Sequence, residues 1–222
     1  MILLVSGASA THRRYWENPY FGHLVMPRAQ HSLKLASESG KPWGVDNDAF
    51  GGWTDEKETR FSALLGQVCL RGPKQSCKFV ACPDVVGDSR TTLERFDRWE
   101  PIIRATGFPV ALVAQDGLTP RYVPWDRIDA LFIGGTDEFK LSQTVDSLIE
   151  YANFRNKWVH VGRVNSNKRI RHFYEIGVDS IDGRQWSAWP DTYWPKYLNW
   201  LGQLQVQPCL NFEQPTFTES SI

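Results

Sequence analysis

The chain has 222 residues, of which 41% are hydrophobic and 23% charged, and its 25 basic side chains balance 25 acidic ones. This length and composition predict one globular domain with a sizeable core, and the zero formal charge argues against nucleic-acid binding through charge spread over the whole surface. No apolar run approaches the roughly 20 residues of a membrane span, and the N-terminal segment MILLVSGA lacks the charged region of a signal peptide, so we expect a cytoplasmic protein.

The sequence shows no pattern typical of a metal or nucleotide-cofactor site. The four cysteines have no C-x-x-C spacing and the five histidines are scattered, so neither a zinc site nor a disulfide framework is predicted. GGTDEFK at 134–140 is not a Walker loop, and no G-x-G-x-x-G follows an apolar run. We therefore expect no cofactor and no metal, and we expect His160, inside an apolar run, to be a hydrogen-bonded core residue.

Short apolar runs recur along the chain, and continuous runs of this kind are typical of strands buried on both faces. In chain order the eight predicted strands are 2–8, 23–28, 42–48, 78–84, 110–117, 130–135, 158–163 and 179–183.

Helical patterns separate many of these runs. Thr54 is a suitable N-cap for a helix with apolar positions at i, i+3, i+4 and i+7, and a similar pattern follows Ser142. The connection 118–129 has room for at most one helical turn. Further helices are predicted at 29–40, 89–104, 165–177 and roughly 192–204.

Strands that alternate with helices predict an α/β protein, a compact (β/α)8 TIM-like barrel, and the rival is an open doubly wound sheet. The barrel is favoured because polar clusters follow nearly every run, and the carboxyl ends of barrel strands converge on one site. We expect the barrel to span residues 1–204, with a C-terminal tail at 205–222 and neither a second domain nor a zinc-binding subdomain.

Carboxylates dominate the residues that follow the predicted strands. Two carboxylates that face a sugar are what cleavage of a glycosidic bond requires, one to attack or stabilise the anomeric carbon and one to move a proton. The same residue types also suit ordinary turns and caps, so the residues alone leave both interpretations open. The full set at these strand ends is Asp46, Asp48, Asp84, Asp88, Gln115, Asp116, Gly134, Gly135, Arg163 and Asp182.

The order of the motifs resembles the tRNA-guanine transglycosylase superfamily. That family has an aspartate in a D-S-G-G-F turn, then a base-reading aspartate, a glutamine after a strand, a Gly-Gly pair and a nucleophile motif G-V-D-x-F-D. The resemblance extends over roughly residues 44–183, and the last segment is the most specific match. The matching segments are DNDAF (46–50), CPDVVGD (82–88), ALVAQDG (111–117), FIGGTDEFK (132–140) and VHVGRVNSNKRIRHFYEIGVDSIDG (159–183).

The resemblance implies a role for each matching residue. Asp182 would be the nucleophile on C1′ of the target nucleoside, and Asp46 the general acid/base for the nitrogens of the base. Asp48 stands where the family has a glycine, so it would only cap the turn or position an arginine. The residues that would bind the guanine-like base are Asp84, Gln115, Gly134 and Gly135.

Two departures bear on the substrate. The chain lacks the zinc module of three cysteines and a histidine found in the tRNA enzymes, and its DNDAF turn differs from theirs. The missing module argues against ordinary tRNA modification, and the shortness of the chain and the DNDAF turn look more like the short DpdA-type DNA-guanine transglycosylases of phages and bacterial DNA-modification clusters. This resemblance implies DNA as the partner and exchange of guanine for a 7-deazaguanine such as preQ0 through a covalent aspartyl intermediate. The alternatives are an N-glycosidase or deoxyribosyltransferase, or a non-catalytic barrel that only binds nucleic acid or a partner.

Basic and aromatic residues near the predicted strand ends would contact nucleic acid. The candidates for phosphate contacts are Arg28, Arg163, Lys168, Arg169 and Arg184, of which Lys168 and Arg169 would equally suit a solvated helix face. A base extruded from the stack is held by aromatic side chains, and the candidates, which would also suit packing under the barrel rim, are Trp43, Phe50 and Trp53.

Overall fold

The strands close into one barrel. Residues 1–7 and 13–206 are described by the computed structural model, and they form eight parallel strands surrounded by helices. Each strand pairs with the next, and the last closes on the first through Ile2 with Ser180 and Leu3 with Ile181. The predicted (β/α)8 barrel is therefore confirmed, and the open sheet is wrong. The strands are β1 (Ile2–Ser6), β2 (Phe21–Val25), β3 (Trp43–Val45), β4 (Cys77–Ala81), β5 (Val110–Ala114), β6 (Ala130–Ile133), β7 (Trp158–Val161) and β8 (Ser180–Ile181).

Helices connect most successive strands and cover the outside of the barrel. Parallel neighbours require such crossover connections, and these place every strand's carboxyl end on the same face of the barrel. The helices that the structure describes are α1 (His31–Ser39), α2 (Asp55–Arg71), α3 (Ser89–Ala105), α4 (Asp137–Lys140), α5 (Gln143–Phe154), α6 (Asn167–Glu175), α7 (Arg184–Ala188) and α8 (Pro190–Val206).

Side-chain caps fix where several helices begin. The Thr54 hydroxyl accepts a hydrogen bond from the Lys57 amide at the start of α2, and the Ser142 hydroxyl accepts one from the Val145 amide at the start of α5. Gly177 follows α6 with a φ of 82°, the left-handed conformation that ends many helices. The predicted helices are confirmed, with ends close to the predicted ones.

Several regions differ from the prediction. The connection 118–129 holds two short 3-10 turns, Pro120–Tyr122 and Trp125–Arg127, because a proline begins the first turn and another directly precedes the second. Helices α4 and α7 were not predicted, since four and five residues are too few to show a periodicity. Helix α8 continues past 204 to Val206; residues 207–222 lie outside the described part, so the tail stays a prediction.

The core has two layers. One lies between the strands and the helices, and it includes fully buried Trp186, Trp194 and Tyr197 from the last two helices. The other fills the barrel itself with residues that point inward from the strands. In this inner layer the Phe79 ring leaves no space beside Gly44, where a Cβ atom would lie 2.5 Å from the ring. The inner residues are Leu4, Leu24, Met26, Phe79, Ala81, Ala111, Val113, Ala130 and Phe132.

The predictions on membrane spans and on cysteines can be compared with the structure only within its described residues. Among residues 1–7 and 13–206, no helix combines the length and apolar character needed to cross a membrane. Cys69, Cys77 and Cys82 are free thiols, and Cys209 lies outside the described residues.

The inner layer should contribute strongly to stability. We expect Phe79→Ala to lower the free energy of unfolding by about 3–5 kcal/mol, because truncating a fully buried phenylalanine leaves a cavity. Phe154→Ala is the matched control at a site that is 82% exposed, and it should change stability little. Urea denaturation of the two variants measures the difference, and equal losses would contradict the assignment of Phe79 to the core.

Candidate active site at the carboxyl ends of the strands

Two cavities adjoin at the carboxyl ends of the strands. The narrower has a volume of about 90 Å³. The wider has about 610 Å³, within the range of about 300–1,000 Å³ usual for ligand sites. The residues that line both cavities, and so mark their boundary, are Asp46, Phe50, Arg163 and Asp182. The narrower cavity brings together every residue assigned to catalysis or base binding by the resemblance: Asp46, Asp84, Gln115, Gly134, Gly135 and Asp182.

Asp46 follows β3 in a turn built by its neighbours. Its backbone N–H donates to the Val25 carbonyl oxygen at 2.9 Å, and its Oδ1 accepts from the Asp48 backbone N–H at 2.9 Å. Asp48 has a left-handed φ of 59°, which aspartate tolerates better than most residues. The Asp48 carboxylate lies 3.4 Å from the Arg28 guanidinium. Asp48 therefore shapes the turn and positions an arginine, while Asp46 faces both cavities.

The environment of Asp46 suits proton transfer. Burial raises the pKa of Asp46 to about 7; the Asp48 N–H opposes this rise, and the Asp182 and Asp84 carboxylates add to it. A carboxyl group that exists in both protonation states near neutral pH can give and accept protons in one reaction cycle.

Asp84 forms a hydrogen-bonded wall at the end of β4. Its carboxylate accepts from Asn47 Nδ2 at 2.8 Å and from Gln115 Nε2 at 2.5 Å. Gln115 Oε1 in turn accepts from the Gly87 backbone N–H at 2.9 Å. Burial raises the pKa of Asp84, and these two amide donors oppose the rise. The wall therefore presents acceptor oxygens to the narrower cavity, and Asn47, which the sequence analysis missed, supports it.

Gly134 and Gly135 bring backbone close to the cavity after β6. A Cβ atom on Gly134 would lie 2.6 Å from Gln115 Nε2. Gly135 has a φ of 77°, and a Cβ atom there would lie 2.6 Å from Asp116 Oδ2. Only glycine fits both positions without rearrangement, so peptide groups rather than side chains form this part of the wall.

Asp182 is held by a chain of hydrogen bonds through buried His160. His160 Nε2 lies 3.0 Å from Asp182 Oδ2, and His160 Nδ1 lies 2.9 Å from Ser180 Oγ. The Trp158 indole N–H can only donate, and it lies 2.9 Å from the same Ser180 oxygen. Every donor in this series of hydrogen bonds has an acceptor when the Ser180 hydroxyl donates to His160 Nδ1 and His160 Nε2–H donates to Asp182. His160 thus fixes the orientation of the carboxylate.

His160 adds a histidine to the set of residues expected at the strand ends. The residue is a hydrogen-bonded core histidine, as predicted, yet it also contacts Asp182. The register explains both facts: His160 pairs with Ser180 across β7 and β8, and Asp182 lies two residues further on the same face. The contact between His160 and Asp182 depends on how β7 pairs with β8, and the periodicity of either segment alone does not predict that pairing.

Lys140 is a second residue that the sequence analysis missed. It ends the one-turn helix α4, is 2% exposed, and lines the narrower cavity. A lysine that follows acidic residues is typical of the protein surface, so nothing in the sequence indicates that Lys140 is buried.

The predicted phosphate-contact residues fall into two groups. Arg28, Arg163 and Arg184 are exposed and line the wider cavity. Arg163 Nη2 also donates to the Gly135 carbonyl oxygen at 2.9 Å. Lys168 and Arg169 lie on α6 outside both cavities, and Arg169 pairs with Asp137 at 2.9 Å. Only the first group lies beside the candidate catalytic residues.

The three aromatic candidates also divide. Phe50 is 66% exposed, lines both cavities and lies under the Arg163 guanidinium at 4.7 Å. Trp43 is fully buried and donates to the Pro73 carbonyl oxygen at 3.0 Å, while Trp53 packs edge-on against Phe61. Phe50 is therefore placed to stack on a ligand, and the two tryptophans pack.

Two other strand-end aspartates have structural roles. Asp88 caps α3 by accepting from the Thr91 backbone N–H at 3.1 Å, and Asp116 accepts from the Thr136 backbone N–H at 2.9 Å. Within residues 1–7 and 13–206, no three acidic, histidine or cysteine side chains converge closely enough to hold a metal ion.

No protein-family model matches the chain, and no curated protein is significantly similar to it in sequence. The proposed function therefore depends on the geometry of the two cavities and on the order of the sequence motifs.

The raised pKa of Asp46 should leave a signature in the pH dependence of stability. An unfolded aspartate ionises at about pH 4, whereas Asp46 keeps its proton up to a pKa of about 7. Ionising Asp46 therefore destabilises the native state as pH rises through this interval. We expect the stability of Asp46→Asn relative to the wild type to increase between about pH 4 and about pH 8 in urea denaturation.

Asp126→Asn provides the control for the same chemical change at a side chain that is 97% exposed. If the difference between Asp46→Asn and the wild type stays constant over this pH interval, the raised pKa is wrong.

Proposed function

We propose that this chain is a base-exchange enzyme that replaces guanine in DNA with a 7-deazaguanine base through a covalent bond between Asp182 and the sugar. The observation that carries the proposal is that Asp46 and Asp182 line both cavities. A nucleoside with its base in the narrower cavity and its sugar in the wider one would have its N-glycosidic bond at this boundary. Two carboxylates would then face the bond that must break.

In the first half of the reaction, an Asp182 carboxylate oxygen attacks C1′ and the bond from C1′ to the base breaks. The bonding electrons stay with the base, and protonated Asp46 donates a proton to a base nitrogen. The pKa of about 7 makes this proton available near neutral pH. His160 keeps Asp182 Oδ2 oriented through its hydrogen bond of 3.0 Å. Guanine leaves, and the sugar stays esterified to Asp182.

In the second half, the incoming base uses the same groups in reverse. Asp46, now a carboxylate, takes a proton from the incoming base, whose nitrogen attacks C1′ and displaces Asp182. One N-glycosidic bond replaces another, so the exchange needs no ATP. Both carboxyl groups return to their starting states.

The walls of the narrower cavity suit the polar edge of guanine. The N1–H and 2-amino groups of guanine are donors, and the Asp84 carboxylate presents acceptor oxygens held by Asn47 and Gln115. The peptide groups at Gly134 and Gly135 offer further contacts at close range. Phe50 is placed to stack on the face of an extruded base.

The wider cavity suits the sugar and its phosphates. Arg28, Arg163 and Arg184 line it, and they supply local positive charge on a chain whose formal net charge is zero. Their position beside Asp182 favours a nucleotide within a polymer over a free base. The choice of DNA over RNA rests on the likeness of the DNDAF turn to the short DNA enzymes.

The same carboxylates would also serve a hydrolytic N-glycosidase or a deoxyribosyltransferase. In the glycosidase, water would attack C1′ in place of the incoming base. In the deoxyribosyltransferase, a free base would still attack C1′, and a free nucleoside would replace the polymer as the donor of the sugar. A barrel that only binds nucleic acid is a further alternative, and it gives Asp46 and Asp182 no special role.

Base exchange can be measured directly. We expect the purified protein to incorporate labelled guanine or preQ0 into DNA and not into tRNA. Asp182→Ala should incorporate none, because no covalent intermediate forms. Asp46→Asn should be slower by roughly 10²–10⁴-fold, the usual contribution of a general acid/base. Asp126→Asn, at an exposed position, should keep full activity.

The outcomes separate the alternatives. Label in tRNA alone would keep the mechanism and overturn the choice of DNA, and release of free guanine without incorporation would favour the glycosidase. DNA binding that is the same in wild type, Asp46→Asn and Asp182→Ala, with neither incorporation nor base release in any of them, would favour the non-catalytic barrel.

A further inference from the structure

We propose that Lys140 selects the incoming base by its substituent at position 7, favouring a hydrogen-bond acceptor such as a carboxylate or nitrile over an ammonium group. This inference rests on the proposed function, whose narrower cavity it refines. The observation behind it is a lysine that is 2% exposed and lines that cavity. Within the described residues, the hydrogen bond given for its Nζ is the one to the Gly162 carbonyl oxygen at 2.9 Å.

A buried ammonium group with one carbonyl partner has N–H donors left to bind a ligand. Lysine carries three N–H donors, and no carboxylate lies within ion-pair distance of Lys140 Nζ among residues 1–7 and 13–206. Burying such a group destabilises the protein unless it is satisfied. Burial, and to a smaller extent the charge of Arg163, lower the pKa of Lys140 to about 8, and the Asp182 carboxylate opposes the shift. A methionine would fill the same space without this cost in stability. We therefore interpret the charge of Lys140 as a group that binds a ligand.

The position of Lys140 in the barrel indicates which part of a bound base it faces. Its Nζ donates a hydrogen bond to the carbonyl oxygen of Gly162, directly after β7. A Cβ atom on Gly162 would lie 3.5 Å from Asp182 Oδ2. Lys140 therefore lies on the Asp182 side of the cavity. Asp84 and Gln115, at the ends of β4 and β5, form the other side.

A bound 7-deazaguanine is oriented by these two sides. Its N9, which bonds the sugar, must face Asp182, and its N1–H and 2-amino donors suit Asp84. N9 and C7 both belong to the five-membered ring, whereas the donors belong to the six-membered ring. The five-membered ring and its substituent at position 7 then face Lys140. An acceptor there gains a charge-assisted hydrogen bond, and an ammonium group there meets a like charge.

Equilibrium binding of free bases tests the inference without requiring exchange. The probes are 7-deazaguanine and its 7-carboxy, 7-cyano and 7-aminomethyl derivatives, measured by calorimetry with the wild-type protein. We expect the 7-carboxy base to bind at least roughly tenfold more tightly than the unsubstituted base, as a hydrogen bond to a charged group implies. The 7-cyano base should also bind more tightly, and the 7-aminomethyl base more weakly.

Variants assign this selectivity to Lys140. Lys140→Met should bring the four affinities together, and Lys140→Gln should retain part of the preference for acceptors, because it keeps a donor and loses the charge. Lys157→Met is the matched control, since Lys157 Nζ also donates to a backbone carbonyl oxygen, that of Ile128 at 2.7 Å, away from both cavities. Circular dichroism verifies that each variant is folded.

The results distinguish this inference from the function on which it rests. If all four bases bind the wild type equally, or the 7-aminomethyl base binds most tightly, the role of Lys140 is wrong while base binding stands. Selectivity that persists in Lys140→Met overturns the role as well. If no base binds, both the inference and the proposed function fail.

Discussion

Three carboxylates around one narrow cavity are the constraint on which the rest of the site depends. Asp46, Asp84 and Asp182 follow three different strands, and the charges on Asp84 and Asp182 make ionisation of Asp46 less favourable. The surrounding structure supplies donors to each of them. These donors are the Asp48 backbone N–H, the Asn47 and Gln115 amides and the His160 ring. The different balance of burial and donors at each carboxylate would allow them to take the different chemical roles that we propose.

The closed barrel makes this arrangement possible. Parallel strands bring their carboxyl ends to one face, so residues far apart in the sequence share a cavity. The inner layer, which includes Phe79 and Phe132, fills the barrel below that face, and part of it lines the cavity. Phe132 and Val113 belong both to this layer and to the cavity wall. The stability of the barrel and the shape of the site therefore depend on some of the same side chains.

The sequence predicted the barrel and much of the site because both leave local signals. Continuous apolar runs locate the strands, and polar residues directly after them, such as Asp46 and Gln115, mark the face where the ends converge. His160 and Lys140 could not be found this way. His160 reaches Asp182 only through the register of β7 with β8. Lys140 is buried because one turn of helix directs it inward, and its neighbours in sequence do not indicate that direction.

Detection of the covalent intermediate tests the central claim most directly. The protein would be mixed with a guanine-containing DNA oligonucleotide, quenched in acid and digested for peptide mass spectrometry. The account predicts a peptide in which Asp182 carries the sugar of a DNA strand that has lost one guanine base, and no such adduct in Asp182→Ala. An adduct on another residue, or base exchange that proceeds with no adduct, would contradict it.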